Sequence, residues 1–303
     1  MKLDQFPGLN NVSDIYSLSL NGLTQADNVD LSKDGNISRR PGRTKIYTGV
    51  ISAAWGDGQD FLFVEGGELK QLNADYTATT LVALTITATI LYVLRSAMNK
   101  LYWSTGYERG VIEFGVNRDW NAVDENYWNG TVVEDALADE LHQDPMPIGK
   151  QMVEYAGCIW MVYGDMVIYT NPYSETTDLR ENFIPVGEQV TNLGAVTDGL
   201  FITTATRSYF YSGRNPAEMT VDQQAPFGAV PNTMLQVDGR VLGEGQNTLG
   251  LLWTSSRGIC AGLPNGTLVN VTQQQVKELS GIEGTALLRE RNGQKHYIAV
   301  LQS

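Results

Sequence analysis

The chain has 303 residues, a hydrophobic fraction of 42 % and a formal net charge of -13, with a sequence pI near 4.6. That apolar content is enough for a sizeable core and sets aside global disorder. The acidic balance argues against sequence-independent nucleic-acid binding, which needs basic side chains to displace counterions from phosphates, but it does not exclude a protein that must let DNA pass without sticking.

In chain order the first segment, "MKLDQFPGLNN", lacks an apolar stretch of signal-peptide length. Residues 1–25 are expected to pack on the body or on a neighbouring subunit, and residues 26–303 to form the folded body. Next comes "NVDLSKDGNISRRPGR", 28 to 43, which has two readings. Asp30, Ser32, Asp34 and Gly35 fall at positions 1, 3, 5 and 6 of a twelve-residue calcium loop. Position 12 should then be a bidentate Glu, and it is Pro41. Arg39 and Arg40 would also set two positive charges beside the cation. A hairpin turning at Asp34–Gly35 explains the same residues without a metal. No metal and no cofactor are expected.

From residue 50 onward the chain reads as strand after strand: short runs of Val, Ile, Thr, Tyr, Phe and Trp broken by Gly, Asn, Asp and Pro. "LVALTITATILYVL", 81 to 94, is too short to cross a bilayer and reads as strands. Apolar strands followed by a polar Gly turn recur. With Phe61, Leu101, Cys158, Leu200, Leu251 and Tyr297 as anchors, the steps are 40, 57, 42, 51 and 46 residues. Strand-like runs precede the anchors at "AAWG", "ILYVLRSA", "QMVEYAG", "TNLGAVTD" and "TMLQVDG". Asp-Gly, Asn-Lys or Ala-Gly turns are expected to close each such pair. A period of 40 to 50 residues with four strands per repeat predicts an all-β fold, a β-propeller of six blades. Five blades are expected between about 50 and 275. The sixth is expected to be composite, built from the hairpins "ADNVDLSKDGNISRRPGRTKIY" and "TALLRERNGQKHYIAVL". Such closure leaves no free edge strand. A sandwich pair and a β-solenoid are the competing architectures.

The longest step holds an insertion, residues 119–149, with eight acidic residues and no Lys or Arg. One short helix is expected at 132 to 143. Its bland reading is a solvated acidic loop. Its functional reading is a protruding tip or subunit contact, since long loops in compact domains carry function disproportionately. The residues singled out for an interface are Trp120, Tyr127, Trp128, Glu134, Asp135, Asp139 and Glu140 here, and Arg39, Arg40 and Arg43 near the N-terminus.

The usual signatures of chemistry are missing. His142 and His296 are the only histidines, and neither has an adjacent nucleophile. GxSxG, HExxH, GxxxxGK[ST] and GxGxxG do not occur, nor does the sialidase turn Ser-x-Asp-x-Gly-x-Thr-Trp. Cys158 and Cys260 sit in apolar strand-like runs and read as buried free thiols. Propellers can act as glycosidases through paired carboxylates, but nothing positive points there. The expectation is that the chain is not an enzyme.

One resemblance adds to this. Gly8, Asn10 and Asn11, then Ala26, Asn28, Val29, Asp30, Gly35, Arg40 and Gly42, match a "GxNN" segment followed by "A-x-N-V-D-x-x-x-x-G-x-x-x-x-R-x-G". That pattern resembles the tail-hub or nozzle proteins of short-tailed bacteriophages, including the DNA-stabilisation (tail accessory) proteins. The resemblance implies a structural virion protein, a β-propeller in a homo-oligomeric ring, expected to be hexameric, below the portal and adaptor. It would seal or conduct the DNA channel and anchor other tail components, with assembly in the host cytoplasm, no specific DNA binding and no membrane. The rival expectation is a carbohydrate- or host-receptor-binding propeller whose loop Trp and Tyr side chains serve as sugar platforms.

Overall fold

The structure is a computed structural model that describes residues 10–13, 23, 29–31, 36–40, 42, 44–120, 143–276, 278–291 and 294–302. The described residues carry five four-stranded antiparallel sheets whose strands pair in chain order; only in the third does another strand, Thr176–Thr177, intervene between the last two. The first sheet joins Ala53–Gly56, Phe61–Glu65, Glu68–Leu72 and Ala78–Ala83. The second joins Tyr92–Arg95, Leu101–Ser104, Arg109–Glu113 and Val116–Arg118. The third joins Met152–Tyr155, Cys158–Tyr163, Met166–Tyr169 and Phe183–Pro185. The fourth joins Val190–Val196, Gly199–Thr204, Ser208–Ser212 and Thr220–Ala225; the fifth joins Leu235–Asp238, Leu249–Ser255, Gly258–Gly262 and Leu268–Asn270. Repeated four-stranded meanders are the blades of a β-propeller, and that is the fold class of this chain.

The chain divides into two compact units. One holds residues 45–193 and 213–219; the other holds 1–44, 194–212 and 220–303. The first contains the first three sheets, and the second contains the fifth sheet and two terminal hairpins.

The second strand of each sheet explains the repeat. Leu62 to Val64, Leu101 to Ser104, Cys158 to Val162, Gly199 to Thr204 and Gly250 to Ser255 are buried without interruption. A strand covered on both faces reads as a continuous apolar run rather than an alternation. Each buries a large aromatic residue, Phe63, Trp103, Trp160, Phe201 and Trp253 in turn, and the second sheet buries Tyr102 as well. Burying such a side chain removes 150–250 Å² or so from water, roughly 4 to 6 kcal/mol by area. The fourth strands are different. "ATTLVA", "VNR", "FIP", "TVDQQA" and "LVN" are largely exposed or half-buried.

The expected turns form unevenly: Asp57–Gly58 and Asn99–Lys100 fall within longer connections, from Gly56 to Phe61 and from Arg95 to Leu101. Ala156 and Gly157 both have positive φ, at 53° and 79°, and close the Met152–Tyr155 hairpin onto Cys158 as expected. At Asp238–Gly239 the expected two-residue turn is replaced by a longer connection with a 3-10 turn over Gly239–Leu242, because the Asp238 carboxylate caps it by accepting from the Arg240 amide at 2.9 Å.

An unexpected pair closes the second sheet. Phe114 (φ 52°) and Gly115 (φ 76°) form the two-residue loop between Glu113 and Val116, and Phe114 is 98 % exposed. A phenylalanine gains nothing there and is strained in the left-handed region, which asparagine tolerates. Phe114→Asn is expected to stabilise the protein by about 1 kcal/mol, read from urea unfolding; an unchanged or lower midpoint would refute this.

The terminal hairpins both form: Val29–Leu31 pairs with Ile37–Arg39, and Glu283–Arg291 with Gln294–Gln302. They remain separate two-stranded sheets. The expected composite blade is therefore corrected: among the described residues no backbone ladder joins the two hairpins, and side chains connect them instead.

Candidate functional site

The stretch "TNPYSETTD", 170 to 178, is polar, yet Thr170, Asn171, Ser174, Glu175, Thr176, Thr177 and Asp178 are all buried. Burial of polar groups requires that they satisfy one another, and here they do. The Asn171 amide donates to the Thr176 carbonyl at 2.7 Å, and the Thr177 hydroxyl to the Tyr169 carbonyl at 2.6 Å. Thr176–Thr177 also pairs as a short strand with Asp144–Pro145, on the returning limb of the acidic insertion.

This framework aims Glu175 at the second sheet. Its Oε1 accepts from Lys100 Nζ at 2.9 Å, Arg118 Nη2 at 2.5 Å and Tyr102 Oη at 3.1 Å. Its backbone carbonyl accepts from Trp120 Nε1 at 3.1 Å, and the Trp120 ring lies 4.8 Å from that of Tyr102. Glu113 completes the set, 3.7 Å from Lys100 and 3.5 Å from Arg118. Burial alone would raise the Glu175 carboxyl, but the Arg118 and Lys100 hydrogen bonds outweigh it and hold the group below the usual carboxylate range. Tyr102 is pushed far up, first by burial and then by the neighbouring Glu175 charge. Two cations face two carboxylates, so the network is charge-balanced. Its effect is to fix both limbs of the insertion at their roots.

Trp120 is therefore placed inside the unit at 1 % exposure, with Met146 on the other limb at 0 %. That corrects its assignment as an interface residue: an indole so enclosed presents nothing to a partner. Tyr127, Trp128, Glu134, Asp135, Asp139, Glu140 and His142, with the expected helix, lie outside the described residues, as does Arg43.

Beside this network is a cleft of about 330 Å³, lined by Trp103, Tyr107, Glu108, Arg109, Asn117 and Asp119 among others. Trp103 Nε1 donates to Asn117 Oδ1 at 2.7 Å. Only a glycine at 110 permits this, since a Cβ there would lie 2.7 Å from that nitrogen and 2.9 Å from that oxygen. The Glu108 carboxylate is held by the Thr85 amide at 2.9 Å and by the Thr85 hydroxyl. Burial lowers the Arg109 guanidinium from its ordinary value, and the Asp119 charge opposes this.

Near the N-terminus, Asp30 Oδ1 accepts from Arg40 Nε at 3.1 Å and from Arg289 Nη2 at 3.0 Å. The second bond ties the N-terminal hairpin to the C-terminal one across 259 residues of sequence. The backbone adds a contact, Asn11 N to Gln275 O at 2.9 Å. Arg289, then Arg40, holds the Asp30 carboxyl below its ordinary value. The calcium-loop reading fails on this geometry, because the Asp30 carboxylate faces guanidinium groups within a hairpin. Among the described residues no group of three or more His, Cys, Asp or Glu is placed to hold a metal. Arg39 lies exposed on the same hairpin. Asp30→Asn is expected to loosen the hairpin, raising amide exchange at Ile37–Arg39 at neutral pH while leaving the five sheets unchanged. The carboxylate is below its unfolded value, so the tether holds above the usual carboxylate range and weakens as pH falls through the lowered one. Unchanged exchange at Ile37–Arg39 would refute the tether.

Sequence reasoning missed Glu175, Lys100 and Arg118, Arg289, and the cleft. The Glu175 partners are 75 and 57 residues away in sequence, and no local spacing announces such a meeting. The buried thiols of Cys158 and Cys260 are where the apolar runs placed them, with burial pushing Cys158 up to about 11.

No family model and no curated protein matches the chain. Among solved structures, the N-terminal domain of BBS1 in complex with ARL6 matches at TM-score 0.52 and 10 % identity, over 80 % of this chain and 71 % of that one. A gluconolactonase from Xanthomonas campestris matches at TM-score 0.44 and 13 % identity, over 77 % of each chain. A streptogramin B lyase matches at TM-score 0.46 and 10 % identity, over 90 % of this chain and 86 % of that one. The last two are propeller-fold enzymes, which corrects the expectation that this chain is not an enzyme. The physical reason is that a propeller can bring reacting groups together from separate strands and loops, so missing linear motifs do not set catalysis aside. At these identities the likenesses assign no reaction. What this chain shares with its structural neighbours is the β-propeller fold.

Proposed function

We infer that the chain is a structural component of a tailed-phage virion, a propeller subunit of the tail hub or nozzle that forms a homo-oligomeric ring, expected to be hexameric, below the portal and adaptor. The observation that carries this reading is the N-terminal pattern from Gly8 to Gly42 on a propeller chain. Two of its members, Asp30 and Arg40, pair with each other at 3.1 Å, and Asp30 also takes Arg289 from the C-terminal hairpin. This gives a physical reason for an aspartate and an arginine ten positions apart: they fasten the start of the chain to its end. Arg39 and Arg40 remain exposed on that hairpin, in a protein of net charge -13. They are suited to meet an acidic neighbour in a ring, and an acidic ring lets DNA through because like charge keeps phosphates off its wall.

The test is to image the purified protein by negative-stain electron microscopy and to pull it down with portal and adaptor proteins of short-tailed phages. Closed rings, or retention on portal and adaptor, support the reading. A monodisperse monomer at micromolar concentration that neither partner retains would sink it. Arg40→Glu should lower ring formation; if folding and rings are both unchanged, that residue has neither role.

A further inference from the structure

The cleft in the second sheet has a back wall of fixed polar contacts, and the assembly reading, which rests on the N-terminal pattern, makes no use of it. Its back wall is Trp103, whose indole N–H is fixed on Asn117 Oδ1. A tryptophan can only donate, so the Asn117 oxygen must face it, and the two amide N–H groups of Asn117 are left turned away. Among the described residues no acceptor takes them. Asn117 lines the cleft, so two fixed donors are offered there. Tyr107 stands at the rim with 61 % of its surface exposed, on a turn fixed by Thr105, whose hydroxyl accepts from the amides of Tyr107 and Glu108. The floor therefore has an aromatic side, fixed amide donors, a carboxylate at Asp119 and a guanidinium at Arg109.

We propose that this cleft binds an uncharged pyranose sugar, one or two rings at the end of a glycan. The chemistry selects it in three ways. The volume, about 330 Å³, is at the lower end of small-molecule sites, which begin near 300 Å³ or so. A pyranose has an apolar C–H face that packs on an aromatic ring, and Tyr107 presents one. Its vicinal hydroxyls each donate and accept, which matches an amide that donates beside a carboxylate that accepts. Charge decides against anions: Glu108 and Asp119 outnumber Arg109, so a phosphate, a sulfate or a uronate meets net repulsion. Trp103 is almost fully enclosed, so no open aromatic cage exists for a quaternary cation.

The experiment is saturation-transfer NMR and calorimetric titration of the full chain with methyl glucopyranoside, methyl galactopyranoside, maltose and lactose, with glucuronate and AMP as comparisons. Saturable binding of at least one neutral sugar, tighter than either anion, is expected. Tyr107→Ala should weaken it about tenfold, the scale of one aromatic stacking contact. Asn117→Asp keeps an oxygen for Trp103 but removes the amide donors, so it should weaken binding at least as much while the unfolding midpoint stays within reach of wild type. No saturable binding of any of the four neutral sugars, preference for glucuronate or AMP, or binding unaltered by both variants would each overturn the proposal. Rings without sugar binding would overturn this site and leave the assembly reading standing; sugar binding without rings would do the reverse.

Discussion

Trp253→Ala is expected to destabilise the protein by about 4 kcal/mol, the range for removing a large buried aromatic. Trp253 is fully enclosed in the second strand of the fifth sheet, packed with Val196, Phe201, Phe210, Leu251 and Cys260, and its ring centroid is 5.5 Å from that of Phe201. The cavity left behind has little freedom to collapse. Gly262 already lets the two rings approach, since a Cβ there would lie 2.7 Å from Phe201 and 3.0 Å from Trp253. The informative partner is Trp253→Phe. Trp253 Nε1 is buried without a hydrogen-bond partner, which costs roughly 1–3 kcal/mol of desolvation. Phenylalanine loses ring volume but also removes that donor, so the two effects oppose, and a net cost of about 1 kcal/mol is expected. Urea unfolding of both variants decides it. If phenylalanine costs as much as alanine, the N–H has a partner in solution and the packing account is wrong.

How far the fold could be read follows from which strands are covered. Doubly buried second strands announce themselves by runs with few polar breaks: Leu62 to Val64 and Cys158 to Val162 are wholly apolar, and in the others only Ser and Thr at the end interrupt. The strands before them were readable too; Met152–Tyr155, half-buried and joined to Cys158 by the Ala156–Gly157 turn, is the plainest case. The fourth strands carry little pattern because solvent, not packing, sets their sequence; Thr220–Ala225 has one buried residue. The N-terminal hairpin was legible from its turn residues, but its fastening was not. Asp30 meets Arg289 only because the fold returns the end of the chain to its start. The cleft was invisible for a similar reason: Trp103, Asn117 and Gly110 come from three adjacent strands of one meander, and each alone looks like an ordinary strand residue.

The polar network rooting the insertion makes the second large prediction. Glu175→Ala should cost about 3 kcal/mol, because it removes the carboxylate closest to both Lys100 and Arg118 and leaves them only the longer Glu113 contacts, at 3.7 and 3.5 Å. The two cations are 23 % and 32 % exposed, so water recovers part of the loss and the lower end of the usual range applies. Glu175→Gln keeps an acceptor and removes the charge; about half that cost is expected. The pH dependence separates charge from shape. The folded carboxyl lies below its unfolded value, so its stabilisation is fully present above the unfolded pKa, about 4.3, and fades as pH falls through the lowered folded value. The gap in unfolding midpoint between wild type and Glu175→Gln should therefore be full at pH 7 and shrink at pH 3, where the wild-type carboxyl approaches the neutral form that glutamine imitates. An equal gap at both values would mean that the shape of the buried loop, and not its ion pairs, holds the insertion to the second sheet.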